Sequence, residues 1–83
     1  MEITGSVIRE RGVTFALVLV REHVMDNPSE RDDVLRSATL LFRLPTVIVS
    51  DRHYRTFGRR DIVQYLSTID ITMIPWQRYT VAA

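Results

Sequence analysis

The sequence predicts a small α+β or α/β domain, with elements in the order β-β-α-β-α-β and a mixed sheet that begins with a hairpin. Three observations support this prediction. The eight residues from Val13 to Val20 form a β-prone and almost wholly apolar run. Two later segments repeat apolar residues at helical spacing, and a further β-prone run separates them. Such alternation is typical of domains built from packed helix and sheet layers.

The size of the chain sets the number of domains. Its 83 residues are 46% hydrophobic and 25% charged, close to an average globular domain. We therefore expect a single domain over 1–83, with a modest core that would gain stability from a partner subunit. The sequence contains no cysteine, which excludes disulfides and thiol chemistry. With no targeting segment recognisable and no apolar run long enough to span a bilayer, we expect a cytoplasmic protein without membrane contact.

The first two strands are predicted from Ile3–Arg9 and Val13–Arg21, two β-prone runs joined by Glu10-Arg11-Gly12. The glycine of this link can adopt a positive φ, as a tight hairpin requires. The second run is apolar on both faces, which is typical of a central strand covered from both sides. The first run is partly polar and contains Gly5, which indicates a bulge or a close backbone approach. We place it nearer an edge of the sheet.

The first helix is predicted between Asp26 and Arg43. Its apolar residues recur as one helical stripe, formed by Val34, Leu35, Ala38, Leu41 and Phe42. Asn27 suits the N-cap, Pro28 the first helical position and Glu30 a capping box.

Pro45 then ends the helix, because the residue before a proline is pushed out of helical geometry. Thr46–Ser50 follows as a third strand that is apolar on both faces. A strand, a helix and a strand in this order imply a right-handed crossover between parallel strands.

The second helix is shorter. Apolar residues at helical spacing predict about ten helical residues starting near Gly58, with Asp61 in the first turn; they are Ile62, Val63, Leu66 and Ile69. The tail Ile71–Val81 is β-prone but contains Pro75, which lacks a backbone donor. It is predicted to form an edge strand or an extended arm.

The segment most suggestive of function is Arg52–Arg60, which holds four arginines, a histidine and two aromatic residues. Arginine forms bidentate hydrogen bonds with phosphate and carboxylate, and aromatic rings stack on bases. Arg59 and Arg60 fall in the first turn of the predicted helix, where the helix dipole disfavours cations unless an anion binds. We therefore predict a loop that binds RNA, single-stranded DNA or a phosphorylated ligand through Arg52, His53, Tyr54, Arg55, Gly58, Arg59 and Arg60.

The alternative for this segment is an ordinary surface loop. Asp51 and Asp61 flank the arginines and can neutralise two of them as surface ion pairs. Phe57 is expected to pack into the core, whereas Tyr54 is equally suited to stacking on a base or to packing. The net charge of +1 gives no global attraction to nucleic acid, and no phosphate-cradling glycine motif is present.

No set of residues predicts catalysis. Ser50, Asp51 and His53 lie close in sequence at a strand end, but without a nucleophile-elbow pattern or paired carboxylates. The second histidine, His23, is followed only by helix-start carboxylates and lacks the ligand spacing of metal sites. We expect a non-enzymatic protein with no cofactor and no metal.

The tail offers a second functional hypothesis. Trp76 and Tyr79 can pack on their own domain or dock against a second subunit, since aromatic residues are enriched in interfaces. In this alternative the protein is a protein-interaction or regulatory module that self-associates, as a homodimer, through its C-terminal aromatic strand.

One stretch resembles a known family. Pro45-Thr-Val-Ile-Val49, the pair Phe57-Gly58 and Asp61-Ile-Val-Gln-Tyr-Leu66 are similar to the second half of glutaredoxin-like domains. The hairpin of that family is compressed in this chain, and the redox cysteine is missing. The resemblance therefore implies no activity, cofactor or site residue.

Overall fold

The computed structural model describes residues 2–80, which form one mixed sheet with helices on both faces. The strands are β1 (Glu2–Glu10), β2 (Val13–Val20), β3 (Thr46–Ser50), β4 (Thr56–Gly58) and β5 (Gln77–Thr80). The helices are α1 (Glu22–Met25), α2 (Pro28–Phe42) and α3 (Arg60–Leu66), followed by a 3-10 turn at Ile71–Met73. The strands lie in the order β4-β3-β2-β1-β5. No helix within 2–80 is long and apolar enough to cross a membrane.

The predicted α+β class, the N-terminal hairpin and the order of elements are confirmed. β1 and β2 pair antiparallel, and Arg11 and Gly12 link them with φ values of 51° and 79°. Positive φ at both positions is the type I′ geometry, whose twist matches that of the flanking strands. Gly5 marks a close approach, since a Cβ there would lie 2.5 Å from the carbonyl oxygen of Leu17.

The centre of the sheet is the parallel pair β2–β3, which runs from Ala16↔Thr46 to Val20↔Ser50. Side chains leave these strands alternately towards the two helix layers. On the α3 side the buried cluster contains Phe15, Leu17, Val47, Val49, Ile62, Leu66 and Ile74. On the α2 side it contains Val18, Met25, Ala38 and Ile48. These two strands are apolar on both faces because a helix covers each face.

The start of α2 follows the predicted N-cap and proline signals, but the capping box is not formed, because the Asn27 amide donates to the Val24 carbonyl rather than to Glu30. The Asn27 side chain accepts a hydrogen bond from the Glu30 amide at 3.2 Å, and Pro28 is the first helical residue. At the other end Arg43 adopts the left-handed conformation, with φ of 53°, and its amide donates to the Thr39 carbonyl. The chain thus leaves the helix two residues before Pro45 and enters β3.

The second half of the chain differs in detail from the prediction. β4 lies inside the segment expected to be a loop, and α3 has seven residues, with Asp61 in its first turn. Ile69 lies beyond the end of α3 but still packs against the core on that side. The tail forms the edge strand β5 along the first half of β1, as predicted. The predicted end of the tail, Val81, lies outside the described residues.

Candidate functional site

The structure separates the predicted anion-binding residues. Arg52–Arg55 follow the carboxyl end of β3, after which β4 runs back antiparallel along β3 until Gly58 lies opposite Val47. Arg59 and Arg60 therefore emerge at the other end of the sheet. The four guanidiniums do not converge on one place, because a strand that the sequence did not indicate lies between the two pairs.

Arg55 is bound to acidic residues of the same molecule. Its Nε donates to the Glu22 carboxylate at 2.6 Å, and its Nη1 donates to the Asp26 carboxylate at 3.0 Å. Its Nη2 reaches the Glu22 backbone carbonyl at 3.3 Å. The hydrogen bond that Arg55 donates to Asp26, followed by the one that it donates to Glu22, raises the pKa of Arg55. This guanidinium ties the loop after β3 to α1.

Glu22 is the centre of the same network. Partial burial of its carboxylate would raise its pKa, but hydrogen bonds from the His53 amide, Arg55 and the Ser50 side chain outweigh this and lower the pKa to about 2. The His53 amide donates to this carboxylate at 2.8 Å. The carboxyl end of β3, where open α/β sheets commonly place a ligand, is occupied by bonds within the protein.

The residues considered for catalysis fix this loop. The buried Ser50 hydroxyl accepts a hydrogen bond from the Arg55 amide at 2.8 Å. The Asp51 carboxylate accepts one from the Glu22 amide at 3.1 Å rather than pairing with an arginine. Tyr54 adopts a positive φ of 52° and has 40% of its surface exposed. Its ring lies on the outside of the loop.

Arg59 and Arg60 lie at the start of α3. The Nε of Arg59 is 2.8 Å from the Asp61 carboxylate, so the neutralisation by Asp61 considered above is present. Arg60 is exposed and has no carboxylate partner within residues 2–80. Phe57 packs into the α2-side cluster, as expected, and the Arg31 guanidinium lies 3.9 Å from its ring centroid.

We call the end of the sheet where the parallel strands begin the basic end. The hairpin link, the turn after α2 and the entry to α3 meet there, since the Ala16 amide bonds to the Pro45 carbonyl and Gly58 pairs with Val47. Five arginines and two carboxylates give it a charge of +3: Arg9, Arg11, Arg43, Arg59 and Arg60 against Glu10 and Asp61. The rest of the chain, with six arginines and eight carboxylates, carries −2.

A cleft of about 390 Å³ lies next to the basic end, between the hairpin and α3. Its apolar floor includes Val13 and Phe15, and its rim carries Glu10, Arg11 and Asp61. The Tyr65 hydroxyl lies within 3.4 Å of the Glu10 carboxylate, to which it donates. This volume is that of a small-ligand pocket, but a rim with both signs of charge does not select an anion over a cation.

The outer side of β1 is only half covered. β5 pairs with Glu2–Gly5, and no strand in the part of the chain that the structure describes pairs with the outer side of Ser6–Glu10. We call Ser6–Glu10 the open edge, of which Ser6 itself is covered and only 3% exposed. Val7 has 45% of its surface exposed there.

The direction of the backbone groups on the open edge follows from the neighbouring strand. In β2 the Ala16 amide and the Val20 carbonyl bond towards β3, so the odd-numbered residues of β2 face β1. Their partners in β1 are even-numbered, as in the pair Ile8↔Phe15. Val7 and Arg9 therefore direct both their N–H and their C=O groups away from the sheet.

The two aromatic residues of the tail pack on their own domain. Trp76 donates from Nε1 to the Ile71 carbonyl at 3.2 Å, and the Tyr79 ring lies edge-to-face on Phe42 at 5.3 Å. Both are half-buried. Sequence reasoning pointed to these rings and missed the open edge beside them, because the predicted β-prone tail Ile71–Val81 is longer than the first run Ile3–Arg9 and gave no sign that β5 would be short.

Between residues 2 and 80 the structure brings together no group of three histidine, cysteine, aspartate or glutamate side chains that could hold a metal ion. No protein-family model, curated protein or solved structure matches the chain.

Proposed function

We propose that the protein is a non-enzymatic protein-interaction module whose working surface is the open edge. The observation that supports this is the pair of outward-facing backbone units at Val7 and Arg9, which lie next to the point where β5 begins. An extended segment of a partner can add here as a further strand, with main-chain hydrogen bonds supplying affinity. We further propose that it acts in the cytoplasm.

The side chains of the open edge favour the same function. Exposed strand edges are commonly protected by charge, proline or a bulge. This edge has Val7 and Ile8 at its centre, and only Arg9 and Glu10 at one end carry charge. It keeps its register with β2 without a bulge through to Glu10↔Val13. It therefore remains open to pairing.

The helix layer beside the open edge leaves apolar surface uncovered. A cleft of about 220 Å³ lies between α2 and the sheet, lined by Ile3, Val18, Val34 and Leu41 among others. Leu41 has 42% of its surface exposed. Val7 points to the same face of the sheet as Ile3. Side chains of an added strand would extend the apolar surface on this face.

A peptide with the sequence of residues 4–11 is a suitable extended probe, because it is β-prone and carries its own alternating side chains. Bound at the open edge, it should slow hydrogen exchange at the amides of Val7 and Arg9, measured by NMR on dilute labelled protein. Val7→Pro, which has no amide at position 7, should abolish the protection of the Arg9 amide, because it removes the outward N–H and places the proline ring in the path of the added strand. Val7→Thr, the matched control, keeps the N–H and should bind as the wild type does. Equal protection in Val7→Pro, or none in the wild type, would contradict the proposal.

A second function is supported by the separation of charge. With +3 at the basic end and −2 elsewhere, an anionic partner such as single-stranded nucleic acid would bind in one orientation. Anisotropy of a labelled single-stranded RNA should then show affinity falling steeply between about 50 and 200 mM salt. Arg59→Ala with Arg60→Ala should weaken binding, while Arg52→Ala, at the opposite end of the sheet, should not. An equal loss of RNA affinity in both variants would show that RNA does not bind specifically at the basic end.

A further inference from the structure

We propose that the cleft between the hairpin and α3 binds a zwitterion with an apolar body, namely a free α-amino acid with an apolar or aromatic side chain. The cleft has a volume of about 390 Å³, which is within the range of small-ligand pockets. The inference is independent of the proposed function, because Val7 and Arg9, whose backbone groups form the open edge, do not line the cleft. Either proposal can fail while the other stands.

Two opposite charges line the cleft without being paired. Glu10 ends β1, and Arg11 follows it in the turn. Although these residues are neighbours in the chain, neither forms an ion pair with the other or with any residue between 2 and 80. The Glu10 carboxylate accepts the Tyr65 hydroxyl at 3.4 Å, and an ionised carboxylate has further acceptor sites. One anion and one cation therefore remain open to a ligand on the same rim.

The third charged group of the rim leaves this balance unchanged. The Asp61 carboxylate lies 2.8 Å from Nε of Arg59, which neutralises it. Among the described residues that line the cleft, the unpaired charges are thus Glu10 and Arg11, and they sum to zero. An ammonium group suits the carboxylate, and a carboxylate suits the forked donors of the guanidinium. A ligand with a single charge would satisfy only one of the two groups.

The floor of the cleft favours an apolar side chain on the ligand. Buried Phe15 and Ile62 form its base, and half-buried Val13 and Tyr65 line it above them. The Phe15 and Tyr65 rings meet edge-to-face at 6.1 Å, which gives the floor an aromatic part. A side chain placed here would remove apolar surface from water on both partners. Glycine carries both charges but has no side chain to cover this floor.

Four probes test the class of ligand by NMR titration of the labelled protein: L-phenylalanine, 2-phenylethylamine, 3-phenylpropionate and glycine. L-Phenylalanine should shift the amide signals of Glu10, Arg11 and Tyr65. It should bind roughly three- to tenfold more tightly than the amine or the acid, each of which lacks one of the two charges. Glycine should bind more weakly than L-phenylalanine. No shift with L-phenylalanine, or equal or tighter binding of any other probe, would overturn the proposal.

Two variants assign the two charges. Arg11→Asn should keep the hairpin, because asparagine before Gly12 suits the type I′ turn. Glu10→Gln keeps an acceptor for the Tyr65 hydroxyl. Each variant should lose the preference that its charge provides: Arg11→Asn the preference for L-phenylalanine over 2-phenylethylamine, and Glu10→Gln the preference over 3-phenylpropionate.

The matched control is Arg9→Gln, which removes a positive charge two residues from Arg11 but outside the cleft. It should bind L-phenylalanine as the wild type does and keep both preferences. Circular dichroism checks that all three variants are folded. If Arg11→Asn or Glu10→Gln keeps the preference assigned to it, or if Arg9→Gln loses as much affinity as Arg11→Asn, the proposed site is wrong.

Discussion

Arg55 donates from its Nε to the carboxylate of Glu22 across 2.6 Å, although the two residues are thirty-three positions apart in the chain. This contact joins the loop after β3 to α1 at the carboxyl end of the parallel strands. Because the same carboxylate also accepts the His53 amide at 2.8 Å, one glutamate orders the whole turn. One of the four arginines predicted to bind an anion is thereby a structural residue.

Acid should weaken the fold through Glu22. Its pKa is about 2 in the folded protein against 4.5 ordinarily, so its ionised form is favoured by folding. This contribution is fully present above pH 4.5 and is lost as the pH falls from 4.5 towards 2. Urea unfolding across this pH range should show the loss in the wild type and a flatter profile in Glu22→Gln, which should also be less stable at pH 7. Arg55→Gln removes the charged donor and should flatten the profile as well. An unchanged profile in both variants would contradict this account.

Much of the fold could be predicted because its signals are local. The apolar run of β2, the cap at Asn27 and the block at Pro45 each depend on neighbours within a few residues, and all three appear in the structure as expected. β4 could not be predicted in the same way. It has three residues, and its extended conformation depends on hydrogen bonds with β3 rather than on its own β-propensity.

The candidate site was less predictable, because it depends on which distant segments meet. Four arginines within nine residues suggested one site, but Arg55 is held by Glu22 and Arg59 by Asp61. The basic end gains Arg43 only because the left-handed cap of α2 turns the chain there. No local pattern in the sequence reports that the outer side of β1 extends beyond β5.

Leucine-to-alanine substitutions at two positions should separate the core from the surface. Leu66 in α3 is 1% exposed and packs between the helix and the sheet, so Leu66→Ala should lower the free energy of unfolding by about 2–5 kcal/mol. Leu40 in α2 is 71% exposed, and Leu40→Ala should change the free energy of unfolding by less than about 0.5 kcal/mol. Urea denaturation measures both. Losses of equal size would mean that α3 does not dock on the sheet as described.

Gly5→Ala should be destabilising although alanine is the smallest addition. The new Cβ would lie 2.5 Å from the Leu17 carbonyl oxygen, and a backbone atom of a central strand cannot rotate away. β1 would have to shift, at a cost of roughly 1–3 kcal/mol in the free energy of unfolding. Gly12→Asn is the matched control, because no heavy atom lies within 4 Å of a Cβ there and asparagine tolerates its positive φ. If denaturation curves of the two variants coincide, the close approach at Gly5 is not restrictive.

Trp76→Phe tests whether a partner binds at the tail or at the open edge. The substitution keeps an aromatic ring against the α3-side core but removes the hydrogen bond from Nε1 to the Ile71 carbonyl. The free energy of unfolding should fall by roughly 0.5–1.5 kcal/mol, because a half-buried carbonyl loses its donor. Protection of the Val7 and Arg9 amides by the peptide of residues 4–11 should remain that of the wild type, since the indole bonds within its own chain and the open edge is unchanged. Loss of this protection in a variant whose fold is intact would instead show that the peptide binds at the tail and not at the open edge.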